Sequence, residues 1–132
     1  MSNRVRFIPN PSGGNEVLLI DLTGFAAPLD AIDTINEARS LIAAQPLSSV
    51  RCIVDVTAAR FNTDVVEALK ELAAANKPYM IATGLIGVTG LQRIILEAVI
   101  KFTARKNLKS MPSREEAFAW LAAQAPGSEA AA

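Results

Sequence analysis

Residues 50–76, VRCIVDVTAARFNTDVVEALKELAAAN, place an apolar run, a polar loop and an amphipathic segment in immediate succession. The apolar run around Ile53 and Val54 is typical of a strand buried on both faces. Beyond the loop, apolar residues recur at helical spacing: Val65, Val66, Leu69, Leu72 and Ala73. A strand that leads into a helix through a loop is one β–α unit, and such units build parallel sheets. This stretch therefore predicts an α/β fold.

The rest of the chain continues the same alternation of strands and helices. Apolar segments at residues 4–8 and 17–22 flank a Pro- and Gly-rich break, which predicts an antiparallel hairpin. Further elements are predicted as a helix from 28 to about 45, a strand at 79–83, a helix at 91–104, a strand at 108–111 and a helix behind the capping box of Ser113 and Glu116. The predicted order is ββαβαβαβα, with strands two, three and four mutually parallel. It gives a single α/β domain at residues 1–124, a mixed and mostly parallel sheet flanked by helices, and a flexible tail at 125–132.

Composition narrows the classes of function. The 132 residues are 51% hydrophobic, which fits one globular domain, and 13 basic residues balance 13 acidic ones, so nucleic acid is not an expected partner. The chain has no histidine, which removes the usual activator of serine and cysteine nucleophiles and the commonest zinc ligand. Cys52, the one cysteine, falls in a predicted strand and is interpreted as a buried structural thiol. We expect a non-enzymatic protein without metal or cofactor, and a cytoplasmic location because no signal peptide or membrane span is visible.

Three segments of the sequence form a combination found in a known family: VDVTAARFNTDVVEALKEL, GVTGLQRIILEAVIKF and SREEAFAWL. Over residues 4–124 the chain resembles the STAS family, which comprises anti-sigma-factor antagonists and the cytoplasmic domains of sulfate transporters. It is closest to a subgroup of small stand-alone bacterial STAS-like proteins, which is also compared with the CRAL-TRIO lipid-binding domains. The resemblance implies a non-catalytic regulatory module that binds a partner protein or a small ligand.

The loop before the second helix departs from the family pattern. Antagonists of the sporulation type carry Asp-Ser-Ser-Gly there, and a partner kinase phosphorylates a serine in that loop. The matching residues 61–65, FNTDV, contain neither serine nor glycine. The resemblance therefore leaves Thr63 as the phosphorylation candidate, with Asp64 as a weak mimic of a phosphate.

Two predicted strands end with the same Asp-x-Thr pattern, at Asp21 and Thr23 and again at Asp55 and Thr57. If these strands are parallel neighbours, all four side chains lie at the carboxyl edge of the sheet, where ligands of open α/β sheets bind. The predicted ligand- or partner-binding rim is completed by Arg60, Thr63, Asp64, Thr83 and Thr89. The alternative is structural: the aspartates accept hydrogen bonds from loop amides and the threonines cap helices.

Residues 84–90, GLIGVTG, follow a predicted strand and precede a helix. Their spacing matches neither the dinucleotide-binding pattern G-x-G-x-x-G nor a Walker loop. A flexible turn is therefore favoured over a nucleotide site.

The third helix is apolar around most of its circumference, which indicates either deep burial or contact with another molecule. Its predicted interface residues are Leu91, Ile95, Val99 and Phe102, and the simplest partner is a second copy in a homodimer. Six basic residues accompany it: Arg93, Lys101, Arg105, Lys106, Lys109 and Arg114. They suggest a second partner, anionic lipid at a membrane surface, although cations near a helix C-terminus also simply complement its dipole.

Overall fold

The computed structural model describes residues 3–60, 62–103 and 105–126. The elements are β1 (Val5–Ile8), β2 (Val17–Asp21), α1 (Pro28–Ala43), β3 (Val50–Asp55), α2 (Thr63–Asn76), β4 (Met80–Ile86), α3 (Leu91–Thr103), β5 (Leu108–Met111) and α4 (Arg114–Ala122). A 3₁₀ turn at Lys77–Tyr79 joins α2 to β4. This order confirms the predicted ββαβαβαβα arrangement. Phe61 of the loop and residues 127–132 of the tail lie outside the described residues, as do the side chains of Leu91 and Phe102 within α3.

The sheet has five strands whose spatial order follows the chain, β1-β2-β3-β4-β5. β1 and β2 form the predicted antiparallel hairpin, and β2, β3, β4 and β5 run parallel. Each connection between parallel strands leads to the adjacent strand, always in the same direction across the sheet. Because such crossovers are right-handed, α1, α2 and α3 are expected on one face.

The two faces of the sheet are covered unequally within the described ranges. α1 packs against α2 and α2 against α3, whereas α4 packs on β3, β4 and β5 from the other side. Side chains alternate along β3 accordingly: Cys52 and Val54 belong to the core under α1 and α2, and Ile53 belongs to the core under α4. Ala117 and Leu121 of α4 are fully buried there. Within the described ranges, the apolar side chains of this second face are therefore covered by one helix of nine residues, α4.

β4 is longer than the sequence predicted and ends at Ile86. Gly84 therefore lies inside the strand, and the prediction that a flexible turn begins there is wrong. A β-carbon at Gly84 would lie 3.1 Å from Met111 Cε and 3.2 Å from Ala117 Cβ. Glycine is favoured here because α4 and β5 approach the strand closely, which is a usual reason for glycine inside a strand. The turn itself begins at Gly87, which has a φ of 84°.

Polar side chains cap the starts of α2 and α4, the second at the predicted residue Ser113. The Asn62 side chain accepts a hydrogen bond from Val65 N at 2.9 Å, and Ser113 Oγ accepts one from Glu116 N at 3.2 Å. Both residues therefore satisfy amides that the first turn of a helix leaves unpaired. In the described part of the chain, no helix combines the length and apolar character needed to span a bilayer.

Candidate functional site

The two Asp-x-Thr strand ends lie side by side at the carboxyl edge of the sheet. Asp21 is directly opposite Asp55 in the parallel register of β2 and β3. Asp21 Oδ1 accepts hydrogen bonds from Thr23 N at 3.0 Å and Thr23 Oγ1 at 2.6 Å. Asp55 Oδ1 accepts the same pair from Thr57 at the same distances. The predicted hydrogen bonds from loop amides to the aspartates are confirmed, but the threonine hydroxyls donate to the aspartates instead of capping helices.

Two arginines that the sequence did not place at this edge neutralise the aspartates. Arg114, the first residue of α4, donates from Nε to Asp55 Oδ2 at 2.7 Å, and its Nη2 lies 3.8 Å from Asp21 Oδ1. Arg4 donates from Nη1 to Thr23 O at 2.9 Å, and its guanidinium carbon lies 4.0 Å from the centre of the Phe25 ring. Arg114 therefore ties both strand ends to α4, across 59 residues of sequence in the case of Asp55.

The charge of Asp21 is stabilised in the folded protein. Burial raises the pKa of this carboxyl, but hydrogen bonds from the Thr23 side chain and backbone lower it, as do the charges of Arg114 and Arg4. The net result is a pKa below the ordinary value of 3.8. An aspartate held ionised by hydrogen bonds from its own loop is suited to fixing that loop and is poorly suited to moving protons.

The loops that follow β2, β3 and β4 are joined into one body around Thr57, which we call the strand-end platform (residues 21–25, 55–60 and 86–88). Gly24 N donates to Thr57 O at 2.9 Å, and Val56 N donates to Ile86 O at 2.8 Å. A β-carbon at Gly87 would lie 2.6 Å from Thr57 N, so only glycine allows this approach. Arg60 N closes the platform by donating to Phe25 O at 2.8 Å.

The outermost residue of the platform has a strained backbone. Ala58 has a φ of 60°, in the left-handed region that costs a residue with a β-carbon about 1–2 kcal/mol. Its side chain is exposed. A strained backbone of this kind persists where surrounding contacts hold the loop in one conformation. Here those contacts are the hydrogen bonds of the platform.

Four predicted rim residues are exposed on the loops and helix starts next to the platform: Arg60, Thr63, Asp64 and Thr89. Thr63 is the first residue of α2, and with Asn62, Val66 and Ile95 it lines an open groove of about 330 Å³. Thr89 lies in the loop between β4 and α3. The structure therefore leaves these side chains accessible around the rigid platform.

Thr83 does not belong to the rim. It is three residues before the end of β4 and 4% exposed, and its Oγ1 accepts a hydrogen bond from Arg105 Nη2 at 3.0 Å. Its placement at the sheet edge is corrected because β4 continues beyond Gly84. The prediction that Arg105 belongs to the basic surface of α3 is also wrong. Arg105 is buried and donates to Ala73 O at 3.3 Å.

Cys52 lines a small cavity of about 40 Å³ beside Thr83 and Arg105. Burial raises the pKa of its thiol to about 12, and the nearby charge of Arg105 offsets that effect only in part. The thiolate is the reactive form of cysteine, so the interpretation of Cys52 as a structural thiol agrees with its surroundings.

The predicted interface on α3 is changed by the burial of its side chains. Val99 is 3% exposed and lines the same interior cavity, so it is not accessible to another molecule and is removed from the predicted interface. Ile95 is half-buried, and Ile94, which the sequence analysis did not select, is 65% exposed. Ile94 is the exposed large apolar residue on this helix among those whose side chains are described.

Across the described ranges, no cluster of three or more acidic or cysteine side chains is arranged to hold a metal ion. Comparison of the chain with protein-family models, curated proteins and solved structures found no match.

Proposed function

We propose that this chain is a non-catalytic regulatory module of the STAS-like kind, which docks a partner protein or small ligand on the strand-end platform. The observation that carries this proposal is the locking of three loops around Thr57, with exposed Arg60, Thr63 and Thr89 next to them. Loops held rigid before binding lose little conformational entropy when a partner arrives, which favours affinity.

The chemistry of the platform supports binding over catalysis. Its two carboxylates are engaged by their own loops and by Arg114, and the thiol of Cys52 is buried on the sheet below. Neither arrangement provides the activated nucleophile–base pair that covalent catalysis uses. Turnover by the pure protein in broad substrate profiling, abolished by Asp55→Asn, would contradict the proposal.

A photo-crosslinking amino acid placed at Thr63 in the native cell tests the docking site. The matched control places it at Ser40, which is exposed on α1. We expect one dominant adduct from Thr63 that is absent from Ser40, identified by mass spectrometry. The same adducts from both positions, or none from Thr63 and Thr89, would refute docking at the platform.

Phosphorylation of Thr63 is the regulatory step that the family resemblance suggests for this platform. A phosphate at the first turn of α2 is favoured by the helix dipole, while Asp64 beside it adds repulsion. Thr63 is exposed, which is the access that a kinase requires. Phosphopeptide mapping from native cells is expected to find Thr63, and modification only at other sites would remove this step.

A second candidate function, peripheral binding to anionic membranes, rests on the exposed side of α3. Ile94 is 65% exposed between the exposed cations Arg93 and Lys101. A buried apolar side chain and about 1 kcal/mol per nearby cation would contribute to such binding. Flotation with anionic vesicles tests it: Ile94→Ser, which removes the apolar side chain without a change of charge, should weaken binding, and the matched control Leu47→Ser, at a residue 69% exposed elsewhere, should not. Failure of the wild-type protein to float would exclude this function.

A further inference from the structure

The helical face of the protein carries opposite charges on its two sides. The exposed acidic residues of α1 and α2 are Asp30, Asp33, Asp64, Glu67 and Glu71. The exposed basic residues on α3, β5 and the segment between them are Arg93, Lys101, Lys106 and Lys109, with Glu97 as the exposed acid. α1 packs on α2 and α2 on α3, so the acidic residues of α1 and the basic residues of α3 lie on opposite sides of the helical layer, with α2 between them. A net charge of zero conceals this separation.

The basic side is concave. A groove of about 510 Å³ runs between the β4–α3 loop, the start of α3 and β5. Its apolar lining is provided by Val88, Leu108 and Met111. Its charged lining consists of the cations Arg93 and Lys109 and the anion Glu97, which leaves a net positive charge. An apolar floor with charged walls suits a projection that carries one apolar side chain and flanking carboxylates.

The acidic side provides such a projection at the first turn of α1. Leu29 is 68% exposed, Asp30 follows it directly, and Asp33 is one helical turn further along the same side. The cation of α1, Arg39, lies further along the helix and is 3.8 Å from Glu71.

We propose that the groove between α3 and β5 binds the first turn of α1 from a second copy of this chain. Leu29 of that copy occupies the apolar floor, and its two aspartates face Arg93 and Lys109. The contact joins two different surfaces, so each copy retains one free surface of each kind and the copies add head to tail. The groove borders the strand-end platform at Gly87 and Val88, but the contact uses neither the Asp-x-Thr strand ends nor Thr63, and it differs from a symmetric dimer formed through α3.

Sedimentation velocity of the full chain provides the first test. The mean sedimentation coefficient should rise with protein concentration at low ionic strength. The rise should disappear near 1 M salt, where the Debye length is about 3 Å. A wild-type protein that remains monomeric at every concentration in low salt would overturn the proposal.

Charge reversal identifies the two surfaces. The groove variant is Arg93→Glu with Lys109→Glu, the helix variant is Asp30→Lys with Asp33→Lys, and each alone should associate at least about tenfold more weakly. An equimolar mixture should recover association, because the unchanged acidic helix of the first fits the unchanged basic groove of the second. The control, Glu16→Lys with Glu115→Lys, makes the same change in net charge as the helix variant at exposed positions outside both surfaces and should behave as wild type.

Leu29→Ser tests the apolar contact without a change of charge, and it too should weaken association. Circular dichroism confirms that each variant is folded before it is scored. A helix variant that associates as strongly as wild type would indicate the symmetric α3 dimer and overturn the head-to-tail contact. Folded variants that fail to recover association when mixed would overturn it equally.

Discussion

Replacement of Arg114 by methionine should cost about 2 kcal/mol of unfolding free energy. Arg114 Nε donates to Asp55 Oδ2 at 2.7 Å, and the Asp55 side chain is 7% exposed. A hydrogen bond to a charged group contributes about 1.5–3 kcal/mol, and exposure of about a third of Arg114 reduces that value by solvent screening. The 3.8 Å contact with Asp21 adds about 0–1 kcal/mol. Methionine keeps most of the apolar stem, so the loss reports the charged contacts.

Urea unfolding followed by Trp120 fluorescence measures this loss, because the one tryptophan of the chain lies on α4 and packs against the core beneath it. The matched control is Arg39→Met, which removes an exposed ion pair and should cost about 0.5 kcal/mol or less. A double-mutant cycle with Asp55→Asn should give a coupling energy of about 1 kcal/mol or more. An Arg114→Met protein within about 0.5 kcal/mol of wild type, or strict additivity in the cycle, would refute the reasoning.

Three further predictions follow from single contacts. The folded pKa of Asp21 is lowered, so its ionised form stabilises the fold above pH 3.8, and that contribution is lost as the pH falls through the folded pKa. The free energy of unfolding of Asp21→Asn should therefore decrease less than that of the wild type when the pH is lowered through this range. Cys52, with a thiol pKa of about 12, should react with Ellman's reagent at pH 8 only at the rate of global opening, and fast reaction of the native protein would contradict its burial. Gly84→Ala should cost about 1–3 kcal/mol in urea unfolding, because the new methyl group presses on Met111 and Ala117, and a neutral result would show that α4 has room to move.

The fold was predictable because its signals are local. Periodicity marked each strand and helix, and the repeated Asp-x-Thr pattern correctly predicted that Asp21 and Asp55 meet at one edge of a parallel sheet. Thr83 was misplaced because Gly84 was interpreted as the end of the strand. In the structure Gly84 lies within β4, where the missing side chain leaves room for α4.

The arginines were not predictable from sequence for a different reason. Arg114 reaches Asp55 across 59 residues, and Arg51 donates to Gln124 O across 73 residues. No local pattern records which strand a later helix will cover. Arg105 was grouped with the basic residues near α3 because its neighbours in the sequence are basic. Only the packing of the folded chain shows that it points inward to Ala73 and Thr83.

Strand order that follows chain order has a consequence for synthesis on the ribosome. Each strand emerges next to the strand with which it pairs, so a nascent chain can add β2 to β5 without waiting for distant sequence. The second face of the sheet is different, because α4 follows all five strands in the chain and returns to cover residues such as Ile53 and Ile81. Until then that apolar face is open to water, to other nascent chains and to chaperones. Arg51 and Arg114, which make hydrogen bonds near opposite ends of α4, therefore fasten the helix that closes this face.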